Sequence, residues 1–307
     1  MKPSTLAAID IGSNAVRLLI NHVEVNGNGC TFKKLAYLRV PLRLGEDVFT
    51  QRRVSDAKTA RLVAAMQGFS HLMRAYAVAE FRACATSAMR DAANGATLIT
   101  AIREKTGIDV EIVSGVQEAD LIYAAGAYVP QTALRDDDAC LHVDVGGGST
   151  ELVVYADQRM RFHGSFQIGT LRMLNNVVEA AEKKRFSRCL KHLHEKYAPA
   201  YIVASGGNIN KAHKILGKKD STPLQFKELA TLCASLLALS FEERMRVFSL
   251  NDYRADVIVP ALEIFLEIGK TAPSLLGVYV PKIGLVDGLI KDLCKKRMAR
   301  AECAGAA

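Results

Sequence analysis

Two short glycine-bearing turns carry the residues best suited to chemistry: Asp10-Ile-Gly-Ser-Asn14 and Asp144-Val-Gly-Gly-Gly-Ser-Thr-Glu151. Glycines let backbone N–H groups crowd around an anion, and the hydroxyls of Ser13, Ser149 and Thr150 add donors. An acid at the head of each turn can hold a divalent cation against the same phosphate, directly or through water. Three caged oxygens, a cation and an aligned nucleophile are the requirements of phosphoryl transfer. The candidate cage is Gly12, Ser13 and Asn14 in the first turn, and Gly146, Gly147, Gly148, Ser149 and Thr150 in the second.

Each turn must be held by strands. Leu6 to Ile9 and Leu141 to Val143 precede the turns, Val16 to Ile20 and Leu152 to Tyr155 follow them, and all four runs are apolar and rich in β-branched residues. Asp10 aligns with Asp144, and Gly12 with Gly146, at one constant offset. The same device in both halves predicts two related lobes whose turns face each other across a cleft. Asn26-Gly27-Asn28-Gly29 reads as a hairpin turn and Ser55 as the start of a helix reaching about Tyr76. A strand from Phe81 to Ala85 leads to a helix that Ser87 is placed to cap, and Asp109 to Val113 leads into a helix from about Val116 to Ala127. Pro130 to Asp138 is a polar connector and the predicted boundary, with lobes at 1–128 and 129–287 and a last helix of about 288–307. In the second half a helix spans Arg185 to Lys196, and a strand from Tyr201 to Ala204 ends in Ser205-Gly206-Gly207 before another helix. The leucines at 229, 232, 236 and 239 form a core or interface stripe. Strands alternating with helices make the chain α/β.

The 307 residues suffice for two domains, and a hydrophobic share of 50% with 23% charged residues is ordinary for a globular chain. The net charge of +8 favours polyanionic partners without choosing among them. The seven cysteines are scattered, odd in number and never spaced C-x-x-C, which speaks against a disulfide framework or zinc site and for a reducing, cytoplasmic setting. Asp10 interrupts the first apolar run, so no signal peptide is expected, and Leu229 to Phe241 is too short to span a bilayer.

These residues resemble the Ppx/GppA family of exopolyphosphatases and guanosine pentaphosphate phosphohydrolases. The resemblance rests on Ala8 to Leu18, Ala85 to Arg90, Ser114 to Ala119 and Val143 to Leu152, then on Ser205 to Gly207, Arg254 to Asp256 and Gly284 to Gly288. It implies two actin-like (ribonuclease H-like) lobes of the superfold shared with sugar kinases and acetate kinase. It also implies a short form without the helical HD-type domain of longer relatives, with the last helix packing back on the first lobe. Two departures stand out: Gln117 precedes Glu118 where the family often has two acids, and Val286 stands where many relatives carry arginine.

On this resemblance Glu118 matches the catalytic glutamate, orienting or deprotonating the attacking water; the residue alone reads equally as a capping carboxylate in a first helical turn. Asp10, Asp144 and Glu151 would hold Mg²⁺, largely through waters, with Glu151 the second candidate for water activation or a solvent-facing strand residue. Arg90 would add a charge-assisted fork, or form a surface ion pair. Arg17 reads evenly as a phosphate contact or a solvated residue. Arg43, Lys211 and Lys214 would track a polyanion, or form solvated basic faces. Ser205, Gly206 and Gly207 would seat a nucleotide or simply start a helix. The expected function is Mg²⁺-dependent removal of terminal phosphate from inorganic polyphosphate by a cytoplasmic homodimer, with no nucleic-acid partner and no membrane. The rivals are a guanosine pentaphosphate (pppGpp) phosphohydrolase, a sugar or acid kinase, and a non-catalytic polyphosphate- or nucleotide-binding regulator.

Overall fold

Six consecutive buried residues, Leu6 to Ile11, can be satisfied only by a strand with neighbours on both edges and cover on both faces. That strand is β1 (Ser4–Ile11), in a computed structural model that describes residues 3–26, 29–126, 139–157 and 159–305, without the side chains of 301–305. It pairs antiparallel with β2 (Ala15–Asn26), which pairs antiparallel with β3 (Gly29–Pro41). Asn26 and Gly29 pair across the hairpin, and Gly27 and Asn28 lie outside the described residues. Helices α1 (Leu44–Gln51) and α2 (Asp56–Ala75) follow, the second capped by Ser55 accepting from the Lys58 N–H at 3.4 Å.

Strand β4 (Glu80–Ala85) returns parallel to β1 and is followed by α3 (Ser87–Asp91) and α4 (Gly95–Thr106). Strand β5 (Val110–Ile112) adds a second parallel edge and leads to α5 (Gly115–Ala124). The order is β3-β2-β1-β4-β5. Ser87 does not cap α3. It is the first residue of that helix, Thr86 precedes it without a side-chain cap, and the Ser87 hydroxyl is drawn instead to Ser13, 2.9 Å away.

The second sheet starts with β6 (Cys140–Val145), β7 (Thr150–Ala156) and β8 (Arg159–Phe166), an antiparallel meander. Helices α6 (Thr170–Leu174) and α7 (Ala180–Tyr197) lead to β9 (Tyr201–Ser205), which runs parallel to β6. Helices α8 (Gly207–Ile215), α9 (Phe226–Leu237), α10 (Phe241–Val247), α11 (Asp252–Ala255) and α12 (Ile258–Thr271) precede β10 (Gly277–Tyr279). The order β10-β9-β6-β7-β8 repeats that of the first sheet strand for strand. Its core gathers Leu141, Val143, Leu152 and Val154 against Leu190, Leu229, Leu262 and Phe265, so the leucine stripe of α9 is core.

The chain ends in α13 (Leu285–Gly305), which packs on α5, β1, β2 and β4. Contacts divide the molecule into one unit of Met1–Gly126 with Gly284–Ala307 and another of Ala127–Ile283. Residues 127–138, including the predicted connector and the expected boundary at 128/129, lie outside the described residues. Both units have the α/β strand order of an actin-like, ribonuclease H-like lobe.

The cysteine pattern misled. Cys30 of β3 and Cys294 of α13 form a disulfide, although 264 positions separate them. Spacing arguments look for local pairs, and here the tertiary fold brings the two together. No helix of the described residues is long and apolar enough to cross a membrane.

Candidate active site

In the first unit the turn after β1 closes on itself by Gly12 N–H donating to the Ala15 carbonyl at 3.1 Å. The segment ahead of α1 then binds the turn from behind: Gly45 N–H donates to the Ser13 carbonyl at 2.9 Å and Arg43 N–H to the Asn14 carbonyl at 3.0 Å. A trans peptide points its C=O and its N–H in opposite directions. With those carbonyls held by the α1 segment, the N–H groups of Asn14 and Ala15 are turned the other way. Arg43 has a left-handed backbone (φ 52°), and its guanidinium donates to Glu46 at 2.6 Å. Lys58 ties this loop together by donating to the Arg43 carbonyl at 2.7 Å and pairing with Glu46 and Asp47.

Asp10 is 5% exposed and stands opposite Arg17 on β2, with which it forms an ion pair. Arg17 is thus bound to a carboxylate within its own unit. On the other side of Asp10 lies Cys84 of β4. Burial pushes its thiol up to about 12; Arg82 opposes this, while Glu111, Asp10 and Glu118 add to it. Arg90 donates to the Val113 carbonyl at 2.8 Å. Glu118 is half-buried in the first turn of α5, whose N-terminus is already closed by a reciprocal cap between Ser114 and Gln117. The departure at Gln117 therefore has a structural role, and Glu118 is not needed as the cap.

The second unit repeats the device. Gly146 N–H donates to the Ser149 carbonyl at 2.9 Å, as Gly12 does to Ala15. The N-terminus of α6 binds the carbonyls: Thr170 N–H to Gly146 at 3.0 Å, Leu171 N–H to Gly147 at 2.8 Å, and Arg172 Nε to Gly148 at 2.7 Å. The N–H groups of Gly147, Gly148 and Ser149 consequently face away from α6. Thr150, fully buried, donates its hydroxyl to the Ile168 carbonyl at 2.6 Å, so it braces the turn from within. Gly169 lies so close that a Cβ there would fall 2.5 Å from the Gly147 oxygen.

Asp144 and Glu151 are directly opposed on β6 and β7 and so share a face of the sheet. Ser205 flanks Asp144 and donates to its Oδ1 at 2.6 Å; Ser165 flanks Glu151 and donates to its Oε1 at 2.9 Å. Glu151 is buried, not solvent-facing. Gly206 has φ +115°, and a Cβ there would lie 2.9 Å from the Val145 carbonyl oxygen, so the Ser205-Gly206-Gly207 turn is moulded onto the end of β6. Arg254 donates to the Gly207 carbonyl, Lys211 donates to the Ser249 carbonyl at 3.0 Å, and Lys214 is exposed on α8.

Among the described residues no three His, Cys, Asp or Glu side chains gather as a metal cage. The donor set in the second unit nonetheless suits a hydrated Mg²⁺, which takes one or two carboxylates and keeps its waters. Two like charges face each other there, whereas Asp10 already has Arg17 as its counter-charge. Sequence reasoning missed the residues behind the turns. Gly169 and Arg172 have no motif, and Arg172 binds a carbonyl 24 positions away. Arg254 was legible only as part of a family motif without a role.

The sequence profile of the Ppx/GppA phosphatase family matches residues 22–296. A bifunctional 3-dehydroquinate synthase/phosphatase of Fusobacterium nucleatum is 33% identical over 171 residues, 54% of this chain and 25% of that protein. The chain thus matches about a quarter of that relative's length. The structure is similar to that of an exopolyphosphatase from Cytophaga hutchinsonii (TM-score 0.81, 22% identity, 95% of this chain and 98% of the other). It is also similar to the Aquifex aeolicus Ppx/GppA family member (TM-score 0.74, 25% identity, 96% and 99%).

Proposed function

Because the chain belongs to the Ppx/GppA phosphatase family, we propose that it is an exopolyphosphatase, hydrolysing the terminal phosphoanhydride of inorganic polyphosphate to release orthophosphate. One observation carries the reading. In each unit a neighbouring segment binds the turn carbonyls, so that N–H groups of the same peptides are turned outward as fixed donors. Donors that need no reorganisation stabilise developing charge on a transferring phosphoryl group.

In this reading the outward amides of Asn14 and Ala15 in the first unit, and of Gly147, Gly148 and Ser149 in the second, bind phosphate oxygens, with the Ser13 hydroxyl and Arg90 as further donors of the first unit. Glu118 accepts a proton from the attacking water as the new P–O bond forms. The bond to the bridging oxygen breaks, and the shortened chain leaves with that oxygen. Mg²⁺, held by Asp144 and largely hydrated, would spread the charge on the terminal phosphates. Arg17, Arg43, Lys211 and Lys214 contribute positive charge to a polyanion, and the molecule acts as a homodimer.

The test is phosphate release from medium-chain polyphosphate, guanosine pentaphosphate and ATP, each with Mg²⁺ and with chelator. Metal-dependent release from polyphosphate is expected. Release from guanosine pentaphosphate alone would move the activity to that nucleotide, and release from none would leave a binding protein. Sedimentation of the purified chain at micromolar concentration decides the dimer.

A further inference from the structure

Glu151 poses a physical problem that its motif does not reveal. It is 3% exposed, and its neighbour on β6, Asp144, has the same charge. A buried carboxylate needs donors or a positive partner. In the first unit Arg17 serves Asp10 in this way, and Glu151 occupies the strand position equivalent to that of Arg17. Arg185 lies within electrostatic range of Glu151, but its guanidinium is hydrogen-bonded to Glu182 and to the Ser165 carbonyl.

The remaining donors come from β8. Ser165 donates its hydroxyl to Oε1 at 2.9 Å. His163, on the same face two residues earlier and 13% exposed, places Nε2 3.5 Å from Oε2. Both of those atoms are sealed from solvent, and neither has a hydrogen-bond partner among the described residues. Two buried polar atoms that face each other with no other partner need only a small ring rotation to close a charge-assisted hydrogen bond.

We propose that His163 is a positioning residue for Glu151. Its Nε2–H holds Oε2 while Ser165 holds Oε1, and together they keep the carboxylate turned toward β8 and off Asp144. Asp144, with Ser205 as its own donor, is thereby left to act alone on whatever cation the substrate brings. Removing the imidazole strands a buried oxygen and lets the carboxylate turn. The inference rests on the proposed phosphatase reading for its effect on turnover, but the contact itself does not.

Two measurements separate these. In polyphosphate hydrolysis, His163→Ala is expected to lower kcat roughly tenfold or more, with KM changed by no more than about twofold. His163→Gln, whose amide can place an N–H near the Nε2 position, is expected to recover most of the loss. An unchanged kcat in His163→Ala overturns the proposal, as does a His163→Gln protein that folds yet stays as slow as the alanine variant. Independently, the ring-nitrogen NMR resonances of His163 should shift on Glu151→Gln, whatever the substrate. If wild type releases phosphate from nothing, the functional reading falls while the resonance still decides the contact; no shift overturns it.

Discussion

Glu151 stands opposite Asp144 on neighbouring strands of the second unit, at the same place where Arg17 stands opposite Asp10 in the first. The two halves share their strand order and their turn hydrogen bonds, yet one sets a carboxylate against an arginine and the other against a second carboxylate. Like charges directly opposed are unfavourable. A site that places them so asks for donors and a cation, and the half that has its own arginine does not.

Glu118→Gln should keep the fold and the reciprocal Ser114–Gln117 cap, because the cap does not use residue 118. Loss of the proton acceptor is expected to lower kcat for polyphosphate by about 10²–10⁴-fold with binding retained. Steady-state kinetics beside a direct binding titration checks this; undiminished turnover would remove Glu118 from the chemistry.

Gly169→Ala puts a Cβ 2.5 Å from the Gly147 oxygen and from the Gly148 carbonyl carbon, both backbone atoms. The glycine turn or α6 must shift, at about 1–3 kcal/mol. Phosphate affinity is expected to fall more than stability, read from the product-inhibition constant of orthophosphate alongside urea denaturation. An unaltered inhibition constant would show that the α6 contact does not shape the turn.

Arg17→Met leaves Asp10 buried without its partner. The cost is expected to be roughly 2–4 kcal/mol, below a fully buried pair because the Arg17 side chain is 25% exposed. Asp10→Asn on the same background should recover part of it. A double-mutant cycle in urea gives the coupling, and a coupling near zero would mean the ion pair contributes nothing.

Asp47 links stability to acid. Burial pushes its carboxyl up, but hydrogen bonds from Lys58 and Ser55 outweigh this and hold it below its ordinary value of 3.8. A carboxyl depressed in the folded state stabilises the fold at pH above its unfolded pKa, and that contribution fades as pH falls through the folded value. Between pH 5 and pH 3 wild type should therefore lose more of its urea midpoint than Asp47→Asn, to an extent of about one acid's linkage. Parallel losses in the two proteins would discard this assignment.

The Cys30–Cys294 disulfide ties β3 to α13. Reduction, or Cys30→Ser, is expected to cost about 2–4 kcal/mol of unfolding free energy. Thiol alkylation before and after reduction, followed by peptide mass mapping, shows whether these two cysteines become reactive only on reduction. Full labelling of Cys30 without reductant would exclude the bond.

The sequence by itself determined the paired glycine turns, the strands around them and the alternation that makes the chain α/β. Those properties are local: apolar runs force strands, and Asp-x-Gly followed by small polar residues forces a tight turn. Asp10, Asp144 and Glu151 stand out in the sequence because they lie at the ends of those turns, whereas Glu118, far from both, is singled out only by the family resemblance. What tertiary structure alone decided is what stands behind and opposite them. The N–H groups face outward because Gly45, Arg43 and the start of α6 bind the carbonyls, and Asp10 is neutralised because register sets it across from Arg17. His163 meets Glu151, and Cys30 meets Cys294, only after strands and helices have found their neighbours. Register and packing are sums over many weak contacts along whole elements, so no short window of residues contains them.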